Sequence, residues 1–326
     1  MSYDTSPDRP RVLAIALNPA LDHTIEVERL TLGEVNRGLG MQAEVGGKGF
    51  NVASCLADFG IPTAVTGLLG QDNATPFEAL FRGKGIQDHC LRLPGLTRVN
   101  TKLVDRSTGH TTDINLPGPV LTPQARQELL AALLAKIDGL IATGTWVVLA
   151  GSLPPDWPDE TYHLLARHIH QAGGRVALDA SGAALAAGLT AGPDMVKPNR
   201  VELAELAGGP LDAMPALLAA GRRLMAGPHG PASLAVSMGG DGALFLDRGQ
   251  ALLARPLKVD LISTVGAGDA MVAGMIAAQL EGLPLPDCAR LATAFAVAKL
   301  SRLGPHLPAP EQVRALAATV ELAELA

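Results

Sequence analysis

Short apolar runs alternate with helical patterns through the second half of this chain, and that alternation limits the folds open to it. Helix 123–138 leads to the apolar run 145–150, and helix 159–172 leads to the run 175–179. This order predicts an α/β fold with a mostly parallel central sheet and helices on both faces. Ligands of such folds bind beyond the carboxyl ends of the strands. The predicted order continues with helix 182–187, strand 194–197, helices 200–207 and 211–226, strand 232–237, hairpin 242–254, helix 287–302 and a C-terminal helix from about 310.

Two segments in the first half follow a different pattern. Residues 11–18 and 63–70 read as buried strands, but residues 22–45 and 98–116 alternate polar and apolar side chains. A period of two is typical of half-exposed antiparallel strands. We therefore expect one small sheet outside the main fold. The predicted division is a disordered lead at 1–10, a main domain from 11–21, 46–97 and 119–326, and a small sheet from 22–45 and 98–118.

The composition argues against several classes of function. The 326 residues suffice for one large domain with an insertion or for two domains. The net charge is -6 and no run of Lys and Arg occurs, so we expect no nucleic-acid partner. No apolar run approaches the ~20 residues of a membrane span. Cys55, Cys90 and Cys288 are far apart, which predicts neither a zinc site nor disulfides and fits reduced thiols in the cytoplasm.

The segment 263–270 (Ser-Thr-Val-Gly-Ala-Gly-Asp-Ala) carries the strongest chemical signal. Gly266 and Gly268 can turn several backbone N–H groups toward one point, and a helical pattern begins at Ala267. The N-terminus of a helix attracts anions and stabilises developing negative charge. Asp269 beside such a site fits a base that deprotonates a hydroxyl as it attacks a phosphoryl group. A structural turn with Asp269 as N-cap is the alternative.

A second Gly-rich turn, residues 46–51 (Gly-Gly-Lys-Gly-Phe-Asn), also opens a helix. A Walker phosphate loop would need glycine at position 42 and Ser or Thr after Lys48, whereas the chain has Gln42 and Gly49. The dinucleotide fingerprint fails too, because the turn after the first strand contains no glycine. The segment is then either a backbone surface that a ligand can approach, with Asn51 as donor and acceptor, or a plain helix N-terminus.

Two later segments carry polar groups that allow a functional and a structural interpretation. Asn199 and Glu202 lie one helical turn apart and could hold the waters of Mg2+, but they also fit a capping box. The stretch 237–242 (Ser-Met-Gly-Gly-Asp-Gly) could open the backbone beside a nucleotide or form a strand-to-hairpin bend.

Several residues of the first half could recognise a phosphorylated sugar. Asp22 follows the first strand, where it could accept hydrogen bonds from sugar hydroxyls or simply form a turn. Arg37, Arg98 and Lys102 lie in the alternating segments. They could converge on a substrate phosphate, or they could keep an exposed sheet soluble.

The order of these segments resembles that of the ribokinase-like (PfkB) carbohydrate kinases, over about residues 11–318. The motifs NPALD, GGKGFN, TRVNTK, GSLPP, KPNRVE, SMGGDG and STVGAGDA follow one another along the chain. GAGD occurs across that superfamily, whereas TRVN, GSLPP and KPN are more specific to its hexose-phosphate branch. The resemblance implies a three-layer α/β/α sandwich with a small β-sheet lid. It also implies an ATP-dependent sugar-phosphate kinase that uses Mg2+ and forms a homodimer through the lid.

The resemblance also implies a role for individual residues. Asp269 would be the base, and the N–H groups of Gly266, Ala267 and Gly268 would form the anion hole. The substrate set comprises Asp22, Gly46, Gly47, Lys48 and Asn51 for the sugar and Arg37, Arg98, Lys102 and Ser152 for its phosphate. The nucleotide set comprises Lys197, Asn199, Ser237, Gly239, Gly242, Thr264 and Gly268, and Asn199 with Glu202 would organise Mg2+ through water.

The resemblance to the hexose-phosphate branch does not identify the sugar substrate. Fructose 1-phosphate is the expected substrate and would be phosphorylated on its 6-hydroxyl. Fructose 6-phosphate and tagatose 6-phosphate are alternatives in which the 1-hydroxyl is the acceptor. A non-catalytic sugar-phosphate sensor and a nicotinamide dehydrogenase are alternatives of other classes, but the first has no use for Asp269 and the second lacks its glycine fingerprint. Ala150, Ala270 and Met238 depart from the usual Ser, Ser and Leu without removing a predicted catalytic group.

Overall fold

The computed structural model describes residues 9–257, 259, 265–302 and 304–325. Thr264 and residues 1–8 of the predicted lead therefore lie outside the described residues, whereas Pro10 is already buried. The strands are β1 (Val12–Ala16), β2 (Ala20–Val27), β3 (Gly38–Gly46), β4 (Thr63–Gly70), β5 (Gln87–Asp88), β6 (Leu91–Leu93), β7 (Val99–Asp105), β8 (Thr111–Ile114), β9 (Trp146–Ala150), β10 (Arg175–Asp179), β11 (Met195–Val196), β12 (Ser233–Ser237), β13 (Ala243–Leu246), β14 (Ala251–Ala254) and β15 (Leu322–Glu324).

Ten helices of the described residues connect and cover these strands. They are α1 (Lys48–Asp58), α2 (Thr75–Lys84), α3 (Pro123–Leu140), α4 (Thr161–Gln171), α5 (Gly182–Leu189), α6 (Arg200–Ala207), α7 (Met214–Ala226), α8 (Ala267–Leu280), α9 (Leu285–Leu300) and α10 (Pro310–Ala318). No helix among the described residues is long and apolar enough to cross a membrane.

The main sheet confirms the predicted α/β fold. Its strands run in the order β15-β14-β13-β12-β11-β10-β9-β1-β4-β5, and β6 also pairs with β4. Strands from β12 through β4 and its partners are parallel, whereas β13, β14 and β15 are antiparallel additions at one edge. Parallel strands joined by helical crossovers are covered on both faces, so their side chains are apolar throughout.

Strand β1 shows how the two cores are separated. Val12, Ala14 and Ala16 pack into a core with α1, α2, α8, α9 and α10, while Leu13 and Ile15 pack into a second core with α3 to α7. Alternate side chains of a strand point to opposite faces, so one apolar run serves both layers. The result is the three-layer α/β/α sandwich.

The alternating segments form the expected smaller sheet, in the order β3-β2-β7-β8. The antiparallel expectation holds for β2 with β3 and for β7 with β8, but β2 and β7 are parallel. A parallel pair requires a long crossover, and here the chain between them passes through α1, β4 and α2. The alternation in 22–45 is also not one continuous strand pattern. Residues 28–37 form a loop in which the Asn36 side chain bonds both backbone groups of Thr31.

The C-terminus differs from the predicted helix. α10 begins at Pro310 as expected but ends at Ala318, and β15 then pairs with β14. The run is only three residues long, so its period carried too little signal for a strand to be predicted.

Candidate active site

A cavity of about 480 Å³ lies where the carboxyl ends of the main parallel strands face the small sheet. Most of the polar residues singled out from the sequence meet there, from elements far apart in the chain. Parallel strands end at the same edge of the sheet, so their following turns come together. The polar lining consists of Asn18, Asp22, Lys48, Asn51, Arg98, Ser152, Asp179, Ser181, Lys197, Asn199, Glu202, Ser237 and Asp269, with the backbone of Gly47, Gly151, Gly266 and Gly268.

The turn predicted to bind an anion has the expected backbone at Gly266, whereas Gly268 already lies within α8. Gly266 has φ +80 and directly precedes α8, whose first turn contains Asp269. Only glycine adopts this conformation without strain, and it leaves the first N–H groups of the helix free to face a ligand. Asp269 is buried and does not serve as the N-cap, since Gly266 occupies that position without a side-chain bond. The structural alternative for Asp269 as an N-cap is therefore excluded.

The environment of Asp269 suits a base that works near neutral pH. Burial raises the pKa of Asp269 to about 6, and the nearby Asp179 charge adds to the rise. Asn51 Nδ2 donates to Asp269 Oδ2 at 2.7 Å, which favours the carboxylate and opposes that rise together with Lys48 and Lys197. A general base is most effective when its pKa lies near the working pH.

Asp22 is held at the opposite wall by the small sheet. Asn100 Nδ2 donates to its Oδ1 at 2.9 Å across the β2–β7 pair. A Cβ atom on Gly46 would lie 2.1 Å from Asp22 Oδ2, so only glycine at position 46 leaves room for this carboxylate. Asp22 also lines the cavity, where its carboxylate can accept from a hydroxyl.

The structure does not bring the three predicted phosphate-binding cations together. Arg98 lines the cavity, but its guanidinium donates to the carbonyl oxygens of Asn18, Pro19 and Leu116. Lys102 Nζ lies 3.8 Å from an Asp113 oxygen and outside the cavity lining. Arg37 is exposed on the loop before β3 and also lies outside the lining.

Sequence reasoning missed Asp179, which forms the charge centre of the site. Its Oδ1 lies 3.2 Å from Lys48 Nζ and 3.3 Å from Lys197 Nζ, and the side chain is 1% exposed. Burial alone would raise the pKa of Asp179, but the two ammonium groups hold it below its ordinary value. The same contacts raise the pKa of Lys48 despite its burial, so both partners stay charged. The only sequence signal was an acidic residue closing the apolar strand β10.

Lys197 links this charge centre to the anion-binding turn. A Cβ atom on Gly268 would lie 3.3 Å from Lys197 Nζ, so glycine at that position lets the ammonium group lie against the turn. Lys197 therefore contacts both Asp179 and the position where an anion would bind. An ammonium there neutralises charge on a phosphoryl group.

The predicted nucleotide and metal residues are partly assembled. Asn199 and Glu202 form a reciprocal capping box, in which Asn199 Oδ1 accepts from Glu202 N and Glu202 Oε2 accepts from Asn199 N. The structural interpretation of this pair is thus realised, yet both side chains also line the cavity. Ser237 lines it as well, through a parallel bridge to Asn199. Gly239 and Gly242 belong to an adjoining 3-10 turn that lies outside the lining.

Mg2+ commonly binds through one or two carboxylates, substrate phosphates and retained waters. The described residues contain no group of three or more His, Cys, Asp or Glu that could hold a metal by themselves. They do offer oxygens for the looser mode. Glu202 Oε1 is not used by the capping box, and Asp179 Oδ2 is buried without a hydrogen-bond partner among the described residues. The cavity therefore fits an ion that arrives with a phosphate ligand.

Comparison with known proteins decides the family. The pfkB family of carbohydrate kinases matches residues 15–312. The chain belongs to this family. A 1-phosphofructokinase of Xanthomonas campestris is 47% identical over 95% of the chain and 97% of its own length. A second, of Rhodobacter capsulatus, is 46% identical over 97% of the chain and 98% of its length.

A solved structure agrees with this assignment. Phosphofructokinase-2 from Escherichia coli, in complex with potassium, superposes with a TM-score of 0.86 at 26% identity, over 95% of the chain and 98% of that structure. The PfkB kinase described here is thus a phosphotransferase that acts on a hydroxyl group.

Loss of the Asp179 charge should destabilise this kinase. Asp179→Asn leaves Lys48 and Lys197 repelling each other in a largely buried site, and breaking such a pair costs about 3 kcal/mol or more. Asp138→Asn is the matched control, because Asp138 pairs with His168 at the surface and exposed pairs contribute about 0–1 kcal/mol. Urea unfolding at pH 7 measures both free energies. Equal unfolding midpoints for the two variants would show that the ion pairs of Asp179 do not stabilise the protein.

Proposed function

We propose that this kinase transfers the γ-phosphoryl group of ATP to the 6-hydroxyl of fructose 1-phosphate, giving fructose 1,6-bisphosphate and ADP. The observation that carries the chemistry is a buried carboxylate, Asp269, in the first turn of a helix whose N-terminus faces the same cavity. The choice of sugar is supported by full-length relatives named 1-phosphofructokinase, up to 47% identical.

Asp269 takes the proton of the acceptor hydroxyl as the oxygen attacks phosphorus. The phosphoryl group passes over the turn at Gly266–Gly268. There, free N–H groups and the Lys197 ammonium bind its negatively charged oxygens. Phosphoryl transfer depends mainly on such positioning and charge neutralisation. The bond to the ADP oxygen breaks as the new bond forms, and the proton remains on Asp269 until product leaves. The carboxylate must therefore be ionised when the sugar binds.

The sugar lies between the two sheets. Asp22 and Asn51 bind its hydroxyls, and the backbone of Gly46 and Gly47 allows close approach to the ring. The phosphate that the sugar already carries lies toward Arg98 and Ser152. Arg37 and Lys102 join them when the small sheet moves over the cavity as a lid. Exclusion of water by that movement would limit hydrolysis of ATP.

The nucleotide lies on the other side of the turn, along Lys197, Asn199 and Ser237, with Gly239 and Gly242 beyond them. Magnesium, when bound with ATP, screens the charge of the β- and γ-phosphates. Asn199 and Glu202 would hold it through water, and Asp179 lines the same cavity. Three free cysteines among the described residues fit the reducing cytoplasm, where ATP is available.

The small sheet also supplies a dimer surface. Register places Asp22 and Asn100 on its cavity face, so the alternate residues face outward. That outer face carries Met41, which is 61% exposed, and Ile114, which is 50% exposed, beside Leu103. An exposed apolar strand face of this kind marks an interaction surface. We expect a homodimer in which two small sheets pack through these faces.

The sugar can be tested directly. We expect kcat/KM for fructose 1-phosphate to exceed that for fructose 6-phosphate and tagatose 6-phosphate by at least about tenfold, or about 1.4 kcal/mol of transition-state binding. Coupled ADP release with each purified sugar phosphate measures the three values. A preference for either 6-phosphate would mean that the sugar binds in the opposite orientation. No ADP release with any of the three sugar phosphates would favour a sensor.

The base predicts a pH dependence. Protonation of Asp269 removes the base, so kcat/KM for the sugar phosphate should rise with pH through about 6. Asp269→Asn should lower kcat about 10²- to 10⁴-fold and abolish that limb of the profile. Asn51→Leu removes a donor to the carboxylate, so its pKa should rise and the limb should move to higher pH. A pH profile of kcat/KM, with kcat measured beside it, tests all three, and an unchanged limb in Asp269→Asn would remove Asp269 from the base role.

The dimer has its own test. Met41→Glu places a charge on the outer face of the small sheet and should convert the dimer to monomers in sedimentation velocity experiments. Leu164→Glu on α4 is the control, because Leu164 is also partly exposed but lies on a helix of the main domain. Wild-type protein that sediments as a monomer would exclude the dimer.

A further inference from the structure

One buried charge has no role in the mechanism above. Lys299 lies in the last turn of α9, its residue is 3% exposed, and Nζ donates to the carbonyl oxygen of Arg302 at 2.9 Å. Among the described residues, no carboxylate lies within ion-pair distance of this nitrogen. Burying an ammonium group with a single carbonyl as partner is unfavourable, and a hydrophobic side chain would fill the space at lower cost.

The position of Lys299 relates that charge to the anion-binding turn. A Cβ atom built on Gly266 would lie 3.3 Å from Lys299 Cε and 3.9 Å from Asp269 Oδ2. The lysine side chain therefore packs against the residue that precedes α8, close behind the base. Asn51, which donates to Asp269, lies 3.7 Å from the same built position.

A small space lies between Lys299 and Asp22, the residue proposed to bind sugar hydroxyls. It measures about 20 Å³ and is lined by Lys299, Asn51, Asp22, Glu44 and Gly304, together with Val45, Val265 and Pro305. That volume suits one water-sized group. Burial lowers the pKa of Lys299, while the charges of Glu44 and Asp269 oppose this shift. The pKa of Lys299 stays below its ordinary value, so these charges offset the effect of burial only in part.

We propose that Lys299 is a positioning residue of the phosphoryl-transfer site, a fixed internal cation that supports the turn at Gly266 from behind. Its charge adds to the partial positive charge of the α8 N-terminus, and its side chain fixes the turn on which the N–H groups are carried. The transition state spreads negative charge over the three equatorial oxygens of the phosphoryl group, and a cation fixed beside that geometry stabilises it more than the ground state. This role rests on the proposed kinase reaction but not on the identity of the sugar.

If Lys299 positions the turn, its substitution should lower activity without lowering stability. Loss of a purely structural residue would lower both. Lys299→Met keeps the length and removes the charge, so the melting temperature should stay equal or rise. kcat should fall at least about tenfold, since a unit charge in a partly buried site acts over several ångströms. KM for the accepted sugar phosphate should change less than kcat. Lys136→Met, on the exposed face of α3, is the control and should change neither quantity.

A second variant tests the same role of the Lys299 ammonium if Lys299→Met folds poorly. Lys299→Ala leaves a cavity in place of the amine, and propylammonium should restore part of its kcat, whereas choline at equal ionic strength should not. An unchanged kcat in a folded Lys299→Met variant would overturn the proposal. So would a melting temperature and a kcat that fall together, without rescue by the amine.

A binding measurement separates this proposal from the proposed function. Calorimetry with ADP and aluminium fluoride, which mimics the transferring phosphoryl group, should show weaker binding to Lys299→Met than to the wild type. The measurement requires no sugar, so it is informative even if the wild type phosphorylates none of the three sugar phosphates. Equal affinities would show that Lys299 does not support the turn.

Discussion

The active site depends on a buried carboxylate that holds two ammonium groups. Asp179 closes β10 in the middle of the parallel sheet and pairs with Lys48 from the start of α1 and Lys197 from the end of β11. Because the charges compensate one another, Asp179 and Lys197 can be buried at the sheet edge while Lys48 stays partly exposed. The pair contacts then fix where Lys197 lies, and Lys197 fixes how closely the turn at Gly268 can approach. One carboxylate thereby connects the start of α1 with the end of β11 at the edge of the cavity.

The same charge centre sets the chemistry of the base. Asp269 lies near Asp179, and the repulsion between the two carboxylates adds to the effect of burial on its pKa. Lys48 and Lys197 pull in the opposite direction, as does Asn51 through its hydrogen bond. A pKa near 6 is the balance of these contributions. A carboxylate at that value is mostly ionised at neutral pH and still basic enough to accept a proton in the transition state.

The sequence predicted features made by neighbouring residues well, and it did not predict features made by residues that lie far apart in the chain. The turn at Gly266 and the helix after it are local, so eight residues predicted both the anion site and the base. The layers followed from the periods of strands and helices. Asp179 could not be foreseen in the same way, because its partners lie 131 and 18 positions away in the chain and a lone acidic residue after a strand is common. The parallel pairing of β2 with β7 escaped for the same reason, since strand alternation carries no information on direction.

The choice of sugar depends on a part of the site that the fold holds less firmly. Asp269 and the turn belong to the main domain, and in the proposed reaction they act on the acceptor hydroxyl and on the phosphoryl group. The cations that would recognise the existing phosphate belong to the small sheet, where Lys102 faces Asp113 at the surface and Arg37 is exposed. These groups reach a ligand only if the sheet moves toward the main domain. A ketohexose carries similar hydroxymethyl groups at its two ends, so under the proposed function the small sheet would select the end that carries the phosphate, while the edge of the central sheet holds Asp269 and the turn.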